Sequence, residues 1–209
     1  FIVAENASLI FNPGTSNDVT LTSDFFQNDG SVIVNNGRSL IFGGSTQQTI
    51  FGAGIMGNMT VDNAAGVVID STQAVHIYNA GINLRSVLAL TNGNLFLPNG
   101  DFETGSVVGG SSSNMVVTSA EGRLVQEIRN VAKVFPVGNA AGSYNPVTLR
   151  QPSGIVDFGV RAQNQLRYPT NSFDRVERQW QIDAVNVVSG SANADVTLGW
   201  DVSHEDPNG

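Results

Sequence analysis

The sequence predicts an all-β protein: a parallel β-helix (β-solenoid) over residues 1–110, followed by a β-sandwich over residues 111–209. Three observations lead there. A unit of two short apolar strands joined by a polar corner recurs in the first half. The polar surface is made of corner-forming residues rather than charges. Past residue 110 the strands lengthen and turn signals become frequent.

The unit is clearest at Val32-Ile33-Val34, Asn35-Asn36-Gly37-Arg38-Ser39 and Leu40-Ile41-Phe42. Phe1-Ile2-Val3 with Leu9-Ile10-Phe11 has the same layout, and Ser-Leu-Ile-Phe occurs letter for letter in both. Val67-Val68-Ile69 with Val75-His76-Ile77, and Leu88-Ala89-Leu90 with Leu95-Phe96-Leu97, complete the set. Self-similarity of this kind marks a coil in which each repeat buries its apolar face against its neighbours. The copies begin at residues 1, 32, 67 and 88. Such uneven spacing suits windings with variable loops, including an outward bulge over 43–58. Strands stacked ~4.8 Å apart place like residues in ladders. The expected ladders put Val32 over Phe1 or Val3, Leu40 over Leu9, and Ile77 near Phe42.

Strand alternation directs Val32, Val34, Val75 and Ile77 inward, and Ile10, Ile33, Ile41, His76, Tyr78 and Phe96 outward. Asn35, Asn36, Asn63, Asn79, Asn92, Asn94 and Asn99 are placed to stack as amide ladders at corners, where asparagine tolerates left-handed backbone. A hairpin meander is the competing architecture, because Asn92-Gly93 between apolar strands is a hairpin signal. The five-residue corners elsewhere share no turn type and favour the coil.

Gly109-Gly110-Ser111-Ser112-Ser113-Asn114 reads as the boundary. Strands are expected after it at 115–118, 122–128, 131–137, 146–151, 155–162, 176–184 and 195–200, a density that suggests a sandwich. Trp180 and Trp200 are expected as its largest core residues.

Composition narrows the functional classes. Hydrophobic residues make up 41% of the chain, enough for a core, while charged residues make up only 13%. The net charge is −8 and Lys133 is the sole lysine. A nucleic-acid partner needs a basic stripe to displace counterions, so none is expected. An anionic membrane would repel this surface. There is no cysteine, which excludes thiol catalysis and thiolate metal sites. No apolar run reaches the roughly 18 residues of a membrane span, so direct membrane insertion is not expected. Phe1 begins inside a strand and Pro207-Asn208-Gly209 is turn-like, so the chain reads as a piece of a longer protein.

Catalytic chemistry finds little support. His76 and His204 are the two histidines, and neither stands near a nucleophile turn or a set of zinc ligands. Asp62 and Asp70 lie on neighbouring predicted strands, the one carboxylate pair to weigh for sugar hydrolysis; corner capping is the ordinary explanation. Asp201, Glu205 and Asp206 form the densest acidic group, for which calcium is the fitting ion, without the spacing of an EF-hand. Lys133, the only candidate for an intramolecular isopeptide, is expected to face solvent. No catalytic or cofactor-binding residue is assigned, and a metal site stays open.

Several phrases resemble a known group of proteins. Thr46-Gln47-Gln48-Thr49-Ile50-Phe51-Gly52, then Met59-Thr60-Val61-Asp62-Asn63, is similar to a "Q-x-I-x-G … L-x-I-x-N" phrase of large secreted Bacteroidetes surface proteins. The stretch from Leu88 to Leu97 resembles their "L-x-L-x-x-G-x-L-x-L" turn. Phe135-Pro136-Val137-Gly138 with Tyr144-Asn145-Pro146 resembles their "FPVG … Y-x-P" element. Arg178-Gln179-Trp180-Gln181-Ile182 and Val196-Thr197-Leu198-Gly199-Trp200 look like the strand pair that follows it. These are adhesin-like, multi-domain substrates of type IX secretion. The resemblance implies an extracellular or cell-surface, non-enzymatic module: a stiff spacer or display platform in an adhesive protein or fibre. Its partners would be other domains of the same protein, surface glycans or other surface proteins. The alternative is a carbohydrate-binding or polysaccharide-cleaving module using outward Tyr78, Phe96 and Tyr168.

Overall fold

The structure, a computed structural model, describes residues 2–3, 8–11, 18–27, 31–34, 38–52, 54–70, 75–77, 86–118, 121–164, 176, 178–201 and 205. Its first fifteen strands visit three parallel sheets in strict rotation. The first sheet receives β1 (Ile2–Val3), β4 (Phe25–Gln27), β7 (Gln48–Phe51), β10 (Val67–Asp70) and β13 (Leu95–Phe96). The second receives β2 (Ser8–Phe11), β5 (Ser31–Val34), β8 (Gly54–Met56), β11 (Val75–Ile77) and β14 (Asp101–Thr104). The third receives β3 (Val19–Leu21), β6 (Ser39–Phe42), β9 (Asn58–Asp62), β12 (Val87–Asn92) and β15 (Ser106–Val108). This is the expected β-solenoid, and every pairing among these strands is parallel. A hairpin meander would have made them antiparallel.

The phase of the repeat differs from the expected one. First-sheet strands begin at residues 2, 25, 48, 67, 95 and 116, so a winding takes 19 to 28 residues and holds three strands. The two-strand unit seen in the sequence therefore covers only two-thirds of a winding, and its copies begin in different sheets. The two Ser-Leu-Ile-Phe strands are β2 and β6, in the second and third sheets. Leu9 stacks on Val32, whereas Leu40 stacks between Val19 and Met59. Val32 lies between Leu9 and Met56, and Ile77 pairs with Met56 rather than approaching Phe42. Residues 43–58 form no bulge: they supply β7 and β8. Strands of every sheet need the same in-out alternation, so similar letters recur without marking vertical neighbours.

Alternation itself reads correctly wherever side chains are described. Leu40 and Phe42 are buried while Ile41 between them is partly exposed. Leu95 and Leu97 are buried around a partly exposed Phe96. Ile10 is 51% exposed. The side chains of 31–34 and 75–77, and residues 35–36 and 79, lie outside the described set. Inside, Leu21, Phe42, Val61 and Leu90 form one ladder, and Val19, Leu40, Met59, Leu88 and Val107 another. Each fully buried side chain contributes roughly 1.5–3 kcal/mol.

One corner column carries the amides. Gln48 and Asn63 are both buried. The Gln48 amide donates to the Leu21 and Ser23 carbonyls at 3.1 and 2.9 Å. Asn63 donates to Gln48 Oε1 at 3.0 Å and accepts from the Ala65 N–H. One winding further on, Asn94 accepts from the Met115 N–H and Asn114 from the Gly93 N–H. In this column the Asn63–Gln48 contact joins two side-chain amides, whereas Asn94 and Asn114 accept from backbone N–H groups, so the column is not the expected stack of asparagines. Buried polar groups need such partners, and backbone carbonyls of the neighbouring winding supply them.

A separate sandwich over 111–209 is not confirmed, because two coil sheets run on through this region. β16 (Val116–Val117) and β19 (Val137–Ala140) extend the first sheet in parallel, and β20 (Ser143–Tyr144) closes it antiparallel. β17 (Arg123–Ile128) extends the second sheet in parallel. β22 (Ile155–Gln163) and the long β23 (Gln179–Ser189) then reverse direction. β18 (Lys133–Phe135), β21 (Val147–Arg150) and β24 (Asp195–Leu198) form an antiparallel fourth sheet. One core runs from Phe25 to Ala162. Its largest fully buried side chains are Phe25, Phe42, Phe102 and Phe135, not the two tryptophans. Trp180 packs partly against the core, and Trp200 is 43% exposed with its ring 6.3 Å from that of Trp180.

Candidate functional site

Among the described residues, the candidates for chemistry do not converge. Asp62 and Asp70 are exposed ends of β9 and β10, in different sheets. His76 is in register with Ile55 and Glu103 along β11, with its side chain outside the described set. His204, Asp206, Tyr78 and Tyr168 lie wholly outside it. Asp201 and Glu205 are exposed, and Glu205 accepts the Trp200 indole N–H at 3.0 Å. Among the described residues, no three His, Cys, Asp or Glu side chains gather as metal ligands.

Lys133 corrects its expectation. It is partly buried, and its ammonium donates to the carbonyls of Gly105 and Glu127. It ties the start of β18 to the end of β17 and to the turn before β15.

Two features are assembled by the fold. The first is a polar ladder across the outer face of the second sheet. Arg123 on β17 donates to both carboxylate oxygens of Asp101 on β14, at 2.8 and 2.7 Å, and to Asp183 on β23 at 3.1 Å. Asp183 also accepts from Gln181, whose Oε1 accepts from Arg161, and Arg161 reaches Glu121 at 2.9 Å. Between β17 and β23 lies β22, and Arg123 crosses it at Gly159, which is paired with both Val125 and Asp183. A β-carbon there would stand 3.0 Å from Val185 Cγ2 and 3.3 Å from Arg123 Cδ. Glycine inside a strand signals such a close approach. The hydrogen bond and charge of Asp101 raise the already high pKa of Arg123 further, against partial desolvation. Part-exposed pairs of this kind contribute modestly, about 1 kcal/mol or less each; their bidentate geometry fixes register.

The second feature is a groove where the third sheet stops. β15 is its last strand. β18 lies alongside β15 yet belongs to the fourth sheet. Lys133 meets Gly105 at one end of the opening between them. At the other end, a β-carbon on Gly110 would fall 2.4 Å from Pro136 Cβ, so the two residues touch. β15 and β18 therefore run in the same sense with a gap held open between two pinches. Val107, Gly109, Gly110, Val134, Pro136 and Tyr144 line a volume of about 300 Å³ there. The Val134 carbonyl is held from behind by the buried Gln126 amide at 2.9 Å. Burial raises the pKa of the Tyr144 phenol, which therefore stays protonated and able to donate at neutral pH. The sequence marks 109–114 as a boundary and does not reveal this groove; the one available signal is Pro136, which breaks the predicted strand 131–137.

No family model matches this chain, and no match to it was found among curated proteins or solved structures.

Proposed function

We propose that this chain is a structural module of a large extracellular surface protein or fibre, a stiff β-coil that spaces or displays neighbouring adhesive parts. The single observation supporting this is continuity. The same core and two of the same sheets run from the parallel windings into the antiparallel C-terminal strands. Backbone hydrogen bonds between windings point along the coil axis, so bending the coil must compress or break them. The extracellular placement and type IX export in this proposal rest on the sequence resemblance to Bacteroidetes surface proteins alone.

Two measurements test the proposal. Purified chain incubated with a panel of plant and microbial polysaccharides should release no reducing ends, and antibodies against it should label intact cells. Turnover of any polysaccharide would replace the structural reading with the enzymatic one. Labelling only after cell lysis would remove the surface assignment.

A further inference from the structure

We propose that the groove between β15 and β18 is a binding site for a neutral sugar unit, one or two rings of a glycan. The first ground is shape. Ordinary solenoid stacking would pair β15 with the next strand above it, and here that pairing is missing. The Lys133–Gly105 and Gly110–Pro136 contacts close the gap at both ends. The span between them is about four residues of strand, on the order of 13 Å. An extended peptide adding to the β15 edge would have to pass through one of these closures. A compact ring does not. The volume of about 300 Å³ lies at the small end for ligand sites.

The second ground is chemistry. None of the six lining residues is charged, and the Lys133 ammonium at one end is engaged by the Gly105 and Glu127 carbonyls, so the lining itself offers no charge to pair with an anionic or cationic ligand. Val107, Val134 and Pro136 supply aliphatic surface and Tyr144 an aromatic ring, the kind of surface that packs on the C–H faces of a sugar. No hydrogen bond joins the peptide groups of Gly109 or Gly110 to any described residue. Without side chains, those groups are open to a ligand's hydroxyls. Apolar walls with a few backbone donors and acceptors and one phenol match a molecule that is both C–H-rich and hydroxylated. The site is independent of the structural proposal above: a spacer without it is still a spacer.

The test is saturation-transfer NMR and titration of the full 209-residue chain with D-glucose, D-galactose, D-mannose, N-acetyl-D-glucosamine, maltose, lactose and cellobiose. D-glucuronate and a valine-rich tetrapeptide serve as comparators. At least one neutral sugar should bind in the millimolar range, shifting the amides of Val107 to Gly110. Tyr144→Phe, which keeps the ring, should weaken binding by about 2- to 10-fold through loss of the hydroxyl bond. Val134→Glu, at a side chain 47% exposed, should abolish binding without disturbing the fold by circular dichroism. Absence of binding by every neutral sugar would overturn the proposal. So would stronger binding of glucuronate or the peptide, or affinity unchanged in both variants.

Discussion

Replacing Phe42 by alanine should destabilise the protein by about 4 kcal/mol, near the middle of the range for emptying a buried phenylalanine. Phe42 is fully buried, stacked between Leu21 and Val61, and meets the Phe25 ring edge-on at 6.2 Å. The deletion removes the apolar surface of the ring, leaves a cavity the coil closes poorly, and forfeits the aromatic pair, itself about 0.5–1.5 kcal/mol. Against a total stability of roughly 5–15 kcal/mol, the loss is large. The comparison variant is Ile10→Ala, in the other Ser-Leu-Ile-Phe strand, where the side chain is half exposed; it should cost no more than about 0.5 kcal/mol. Urea denaturation followed by circular dichroism reads both. The interior assignment fails if Phe42→Ala costs under about 1 kcal/mol, or if Ile10→Ala costs as much as Phe42→Ala.

Gly159→Val should cost about 1–3 kcal/mol by overpacking against Val185 and Arg123. Once the Arg123–Asp183 crossing is lost, Arg123→Ala should cost less in that background than in the native one, because only the Asp101 pair is left to lose; full additivity in the double-mutant cycle would show that Gly159 does not carry the crossing. Residues 1–110 alone should aggregate, because β13 and β14 lose β16 and β17 and become open edges; a soluble monomer in size-exclusion chromatography would show that the C-terminal strands are not needed as a cap.

Local periodicity was readable from single residues. The alternation of Leu40, Ile41 and Phe42, the corner asparagines Asn63 and Asn94, and most strands after residue 114 follow from propensities that act within a few positions. The winding period was not readable, because Leu9 and Leu40 look alike whether or not they are stacked. The tryptophans were misplaced for a related reason: size predicts burial only where core remains to receive it, and Trp200 follows β24, the last strand of the fourth sheet.

An all-β coil with an apolar interior and a charge-poor polar exterior was determined by the amino-acid sequence alone, since side-chain alternation and turn chemistry are local properties. Vertical register, the passage of Arg123 over Gly159, the clamp made by Lys133 and the opening between β15 and β18 were decided only by tertiary structure. Each depends on segments distant in the chain, brought together by winding, and no local spacing encodes which strand comes to lie above which.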